Sequence, residues 1–240
     1  MKKRIYTLIV TLVLTTAFVH AQTNKFYTTT GGEMIFSFAS IDDAGSETGN
    51  IIRWSPVFNI QILGNYDFSK NVGFFTGFDI RNVGFIYGNY KPPTQESTVK
   101  KKFRNYTAGI PVGLKIGNLN KFFFYGGYEI EFPINYKEKT FENEVKTHKF
   151  NVWFSNRVPT VYHTFLVGIQ FPYGGNLKFK YYLTNFHNKD FTETLSDGTQ
   201  IKPYETLNAN VFYFSLNFNL FRNADFYYTS EQKQKKAMVY

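Results

Sequence analysis

Two pairs of like charges stand out along the chain. Glu129 and Glu131 lie two residues apart, and so do Lys178 and Lys180. On an extended backbone alternate residues share a face, so the members of each pair project together. Two adjacent carboxylates can divide the roles of acid and base when their environments differ. Two lysines within reach would instead neutralise them, and charge pairing is the outcome these residues predict. Other templates for chemistry are missing. Four histidines and no cysteine leave little material for a metal site and none for a disulfide. No Gly-x-Ser-x-Gly, His-Glu-x-x-His or glycine-rich phosphate loop occurs. His163 follows Ser155 at a spacing that matches no catalytic motif, and His187 stands alone near another strand end. These residues predict no catalytic group, no cofactor site and no metal site.

The elements that would carry the charges read with period two. Eight segments alternate apolar and polar residues, at 33–38, 55–62, 72–81, 105–116, 124–132, 164–171, 177–184 and 212–220. Such alternation means strands with a different medium on each face. Aromatic residues make up 20% of the chain, yet its mean hydropathy is −0.30. No apolar run beyond the N-terminus is long enough for a membrane helix. A closed sheet showing its apolar face to lipid satisfies both facts. Short connections at 67–71, 118–121 and 172–176 alternate with long polar ones at 41–50, 88–102, 137–160 and 188–206. An outer-membrane barrel has that pattern. The expected fold is all-β, an eight-stranded antiparallel up-and-down transmembrane barrel with both termini periplasmic. A soluble barrel with apolar residues inside would alternate equally well. The Gly-, Asn-, Ser- and Thr-rich polar face argues against it, because eight strands leave an interior just wide enough for side chains.

On this register Glu33, Arg53, Asp79, Arg81, Lys115, Glu129, Glu131, Lys178 and Lys180 point inward. Charges in so narrow a space must pair, since an isolated one costs several kcal/mol. The expected interior is therefore a plugged, charge-paired network without an open channel. Lys100, Lys101, Lys102 and Arg104 fall where an outer connection meets the membrane, and anionic lipid headgroups are their expected partners. Phe150, Trp153 and Phe154 form an apolar cluster in the 137–160 connection, a sign of packing over the barrel mouth or of contact with another protein.

Residues 1–21 read as a signal peptide: a basic start at Lys2, Lys3 and Arg4, an apolar stretch, and a cut between Ala21 and Gln22. Without those three cations the formal charge falls from +9 to +6. Export makes nucleic acid a remote partner. Residues 22–221 are then the barrel. Residues 222–240 form a periplasmic tail without alternation, in which Phe226, Tyr227 and Tyr228 are candidate contacts for another outer-membrane or periplasmic protein.

The run Gly31-Gly32-Glu33-Met34-Ile35-Phe36-Ser37-Phe38 resembles the opening strand of small outer-membrane barrels from Bacteroidota-type bacteria. Residues 71–78 (NVGFFTGF) and 106–115 (YTAGIPVGLK) are similar to their middle strands. The resemblance implies a barrel of OmpA or OmpX size and implies no single activity. Such barrels commonly end on an aromatic residue; here Phe221 would fill that place, but the tail follows it. The functions expected are a structural or adhesive role, then an accessory subunit docking through 137–160 and the tail, then a lipid-modifying enzyme.

Overall fold

The computed structural model describes residues 26–45, 49–93 and 96–222. Its strands are β1 (Phe26–Asp43), β2 (Asn50–Ile51), β3 (Arg53–Ser55), β4 (Ile60–Asp67), β5 (Val72–Tyr90), β6 (Val99–Asn118) and β7 (Phe122–Glu142). They continue with β8 (Val145–Trp153), β9 (Tyr162–Gln170), β10 (Gly175–Tyr182), β11 (Glu193–Thr194), β12 (Gln200–Ile201) and β13 (Leu207–Arg222). Eight of these close a ring in the order β1, β4, β5, β6, β7, β9, β10 and β13, every neighbour antiparallel. The seam is long: β13 pairs back to β1 from Thr28↔Arg222 to Asp43↔Leu207. β3 and β2 carry on where β4 stops, the first against β1 and the second against β5. β8 folds back on β7 as a hairpin outside the ring.

Outward residues near the turn end form an apolar belt. Ile60, Ile62, Phe78, Ile80, Ile110, Val112, Leu114, Ile116, Phe165, Val167, Phe214, Leu216 and Phe218 are all exposed. An apolar surface so continuous needs an apolar medium. On β6 it runs ten residue steps, from Tyr106 to Ile116. With ~3.4 Å per residue and a tilt of ~45°, that is about 24 Å, the height of a lipid-facing band. Phe26, Tyr66, Phe68, Phe122, Phe171 and Tyr173 gather near the turns, where an aromatic girdle meets the interface.

The long connection expected at 137–160 is largely strand, and strand takes up both ends of the one expected at 88–102. β5 reaches Tyr90, β6 begins at Val99, and β7 with β8 fills 122–153. The first strand also starts at Phe26 rather than near residue 32. Above the belt the sheet turns inside out. Val83, Phe85, Phe103, Tyr136, Tyr162, Tyr182 and Tyr213 are buried in one core there, while Arg104, Lys102, Lys137 and Lys139 lie on the other parity. The outer medium has changed from lipid to water, so the apolar face moves inside. On β7 the change takes a bulge: Thr107 pairs with Pro133 but Tyr106 pairs with Asn135. One extra residue flips every later side chain to the opposite face, and Pro133 sits at the irregularity that proline tolerates.

The signal segment with its cut at Ala21 and Gln22, and the tail residues Phe226, Tyr227 and Tyr228, lie outside the described residues. For the barrel itself, an unboiled sample should migrate differently from a boiled one in a detergent gel. Identical migration would be incompatible with a closed ring held by the β1–β13 seam.

Candidate functional site

Inside the belt, the strands bring most of the expected charges to one level. β5 supplies Asp79 and Arg81, β7 supplies Glu129 and Glu131, β10 supplies Lys178 and Lys180, and β1 supplies Glu33. All seven are buried. Arg81 lies at the centre. It pairs with Glu33 at 3.3 Å, with Glu131 at 3.6 Å, and more closely with Asp79 and Glu129. Lys180 pairs with Glu129 at 2.7 Å and with Glu131, while Lys178 pairs with Glu33. Tyr182 donates to Glu131 at 2.8 Å, and Lys178 donates to Gln61 at 3.2 Å. Gly109 makes the cluster possible: a Cβ at that position would collide with carboxylate oxygens of Glu129 and Asp79.

Asp79, Glu129 and Glu131 each place an oxygen within 4.8 Å of the others. Three carboxylates at that spacing could hold a cation, but Arg81 and Lys180 already supply the positive charge. The same pairing answers the acid–base reading of Glu129 and Glu131.

Two expected members lie elsewhere. Lys115 belongs to a second cluster nearer the turns, bonded to Asp67 at 2.6 Å, Tyr27 at 2.9 Å and Asn65 at 3.1 Å. Asp67 was not anticipated, because it reads as the first residue of a turn. A cavity of about 40 Å³ separates this cluster from Arg81 and Lys178, room for little more than a water. Arg53 is buried too, but its guanidinium donates to the backbone and side-chain carbonyls of Asn82 rather than to a carboxylate. It therefore stands outside the charge network although it keeps the inward parity: Arg53 and Ser55 on β3 are buried as Gln61 and Asn65 on β4 are.

Above the belt a second plug is aromatic. His187 stacks on Tyr204 with ring centroids 4.1 Å apart and lies edge-on to Phe103 at 4.5 Å. Tyr136 and Tyr204 both donate to Glu138, at 2.8 and 2.9 Å, and Glu138 also pairs with Lys101. Burial would raise the Glu138 carboxyl, but Lys101 and the two hydroxyls hold it below its usual value. Burial pushes the His187 imidazole down to about 3; Glu138 opposes this, while Lys101 and Arg157 add to it. Neither histidine meets a serine among the bonds of the described residues: His163 bonds to Tyr128 and to Thr184. Of the expected loop contacts, Phe150 packs under Arg157 and against the core. Trp153 and Phe154 are exposed beside Asn135 and Ile134, just past Phe132 of the belt.

The closed ring and its lipid-facing belt define the class: an eight-stranded transmembrane β-barrel of the small outer-membrane kind. No protein-family model matches this chain. No curated protein matches it either. Among solved structures it is similar to Ail, the attachment invasion locus protein of Yersinia pestis, in complex with the heparin analogue sucrose octasulfate. Identity there is 11%, coverage 81% of this chain and 98% of that one, and the TM-score 0.35. It is similar also to Neisserial surface protein A, at 11% identity, 82% and 97% coverage and a TM-score of 0.37. The outer membrane protein OprG from Pseudomonas aeruginosa gives 10%, 82% and 96%, and 0.36. The class rests on the strand pairing and the belt, not on these values.

Replacing Arg81 by Met should strand several buried carboxylates and cost about 3–5 kcal/mol. Urea unfolding in lipid vesicles would read this as a lowered midpoint, and adding Glu129→Gln should recover part of the loss. A midpoint within error of wild type would contradict the central role of Arg81.

His187 gives a pH dependence. Below its unfolded value of 6.5 the unfolded ring takes a proton that the folded ring refuses until about 3. Its contribution is complete above pH 6.5 and is lost as pH falls toward 3. His187→Phe should flatten the loss of amide protection in residues 186–204 between pH 6.5 and 4.5, measured by hydrogen exchange. An unchanged slope would refute the assignment.

Proposed function

We propose that this protein is a closed, non-enzymatic outer-membrane barrel with a structural or adhesive role, formed by residues 22–221 with both termini periplasmic. One observation carries the reading: two side-chain plugs lie one above the other, a charged one around Arg81 and an aromatic one around His187 and Tyr204. Eight strands enclose too little space for a water-filled pore beside them. The strands then rise past the membrane as a rigid collar, which presents the β7–β8 hairpin to the outside. Refolded protein in a planar bilayer should give no stepwise conductance. Reproducible single-channel steps would refute the closed interior.

A second reading has its own support. Among the described residues β8 pairs along one edge only, and Trp153 and Phe154 stand exposed at its end. An unpaired edge with flanking aromatics suits a protein partner, and residues 137–160 together with the 222–240 tail would make this chain an accessory subunit. Gentle solubilisation separates the readings. A stable companion that co-purifies with wild type, and is lost when the hairpin is shortened, favours the subunit; purification alone favours the free-standing barrel. A lipid-modifying enzyme is the weakest of the three, because His163 and His187 are both engaged by tyrosines rather than by a nucleophile.

A further inference from the structure

The outer face of the collar carries a cluster of cations that no carboxylate among the described residues pairs. Arg104 stands directly across from Lys137, and Lys102 across from Lys139. Lys139 in turn stands across from Lys149 on β8. Like charges in directly opposed positions of an antiparallel sheet repel. The neighbouring cations behave differently: Lys101 pairs with Glu138, and Lys100 pairs with Glu144 at 2.7 Å. The unpaired ones converge on a cleft of about 160 Å³, lined by Lys102, Arg104, Lys137, Lys139 and Arg53, with Trp54 and Val57 beside them. No acidic residue among the described ones lines it.

Arg53 supplies an independent sign that an anion belongs there. Its residue exposure is 2%, and its Nε has no hydrogen-bond partner among the described residues. A buried guanidinium held only by the two carbonyls of Asn82 keeps a donor in reserve and a full charge without a counter-ion. Arg104 Nε is likewise unpartnered. Burial, then Arg53, Lys139 and Arg104, lowers the Lys102 ammonium, as crowding of uncompensated cations must.

Resting on the outer-membrane reading above, we propose that this cleft binds the phosphate of an outer-leaflet lipid headgroup. The placement favours a lipid over a dissolved anion. β6 runs from the apolar Ile110 and Ala108 through Tyr106 to Arg104 and Lys102, so the cations begin one turn of side chains above the belt. Trp54, Val57 and Phe58 are exposed beside the cleft, at 59%, 56% and 65%. An amphiphile meets both surfaces at once, its phosphate on the cations and its chains along the belt.

The test uses the full barrel in neutral-detergent micelles, titrated with lipid A as the phosphorylated probe. Dephosphorylated lipid A and inorganic phosphate serve as the other arms. The variant K102Q/R104Q/K137Q/K139Q removes the cluster, and the milder K102Q/K139Q guards against misfolding. K70Q/K121Q, on the turn side, is the control. Wild type should bind lipid A, the fourfold variant should lose at least about tenfold in affinity, and added salt should weaken binding. Dephosphorylated lipid A should bind wild type no better than lipid A binds the fourfold variant. Binding by K102Q/K139Q that stays within about twofold of wild type, with its gel shift intact, would overturn the site. Equal binding of the dephosphorylated lipid would also overturn it. Displacement by inorganic phosphate at concentrations equal to lipid A would assign the cleft to a soluble anion and overturn the lipid. A wild type without a gel shift would instead remove the barrel reading on which the proposal stands.

Discussion

Arg81 pairs with four carboxylates, one on its own strand and three on two others, and the barrel's inner face is arranged around it. An eight-stranded ring has no space for hydration shells, so each inward charge must find its partner in protein. A guanidinium does this best because its planar fork offers five donors in fixed directions. Lys178 and Lys180 then offset two of the three carboxylate charges that Arg81 leaves over. Gly109 clears the volume into which Glu129 and Asp79 extend. Gly113 and Gly168 do the same for the rings of Phe75 and Tyr125. The glycine-rich inner face is thus the complement of the bulky groups that fill the barrel, and it bears on packing rather than on flexibility.

A second constraint acts along the barrel axis. The same strands cross from lipid into water, and their two faces exchange character on the way. On β6 the exchange needs no irregularity: Thr107 and Asn105 give way to Phe103 inside, while Tyr106 gives way to Arg104 outside. On β7 the residue types at 133–139 would have put Tyr136 out and Lys137 in. The bulge beside Pro133 corrects the phase, so Tyr136 and Glu138 are buried and Lys137 joins the outer face. A membrane barrel and a soluble-type barrel are therefore stacked end to end in one continuous sheet.

That stacking explains how much was legible in the sequence. Within the belt one parity is apolar throughout, and every one of the eight ring strands shows there as an alternating segment. Glu33, Asp79, Arg81, Glu129, Glu131, Lys178 and Lys180 follow from the same parity, because pairing leaves them no other place. Above the belt the alternation persists but reverses, as in Phe85 and Tyr87 on β5 or Phe103 on β6. A reading that expects apolar residues outside takes such stretches for polar loops. Arg53 keeps the inward parity and is buried, but parity names no partner: its guanidinium meets the carbonyls of Asn82 rather than a carboxylate. Asp67 and His187 carried no local signal, since their partners Lys115 and Tyr204 are remote in sequence.

The reversal also accounts for the basic rim. Once the apolar groups have moved inside, the outer parity must be polar, and any water-soluble residue would serve. Mixed signs would serve best, because opposite charges across a strand pair attract while like charges repel. The chain has acidic groups to spare at this height, and it spends Glu138 on the inside and Glu144 on Lys100. Arg104, Lys102, Lys137, Lys139 and Lys149 are left facing one another in register. Solubility alone does not ask for that arrangement. A surface that must meet phosphates at the edge of a bilayer does, because there the repulsion is relieved by the neighbouring lipid rather than by the protein.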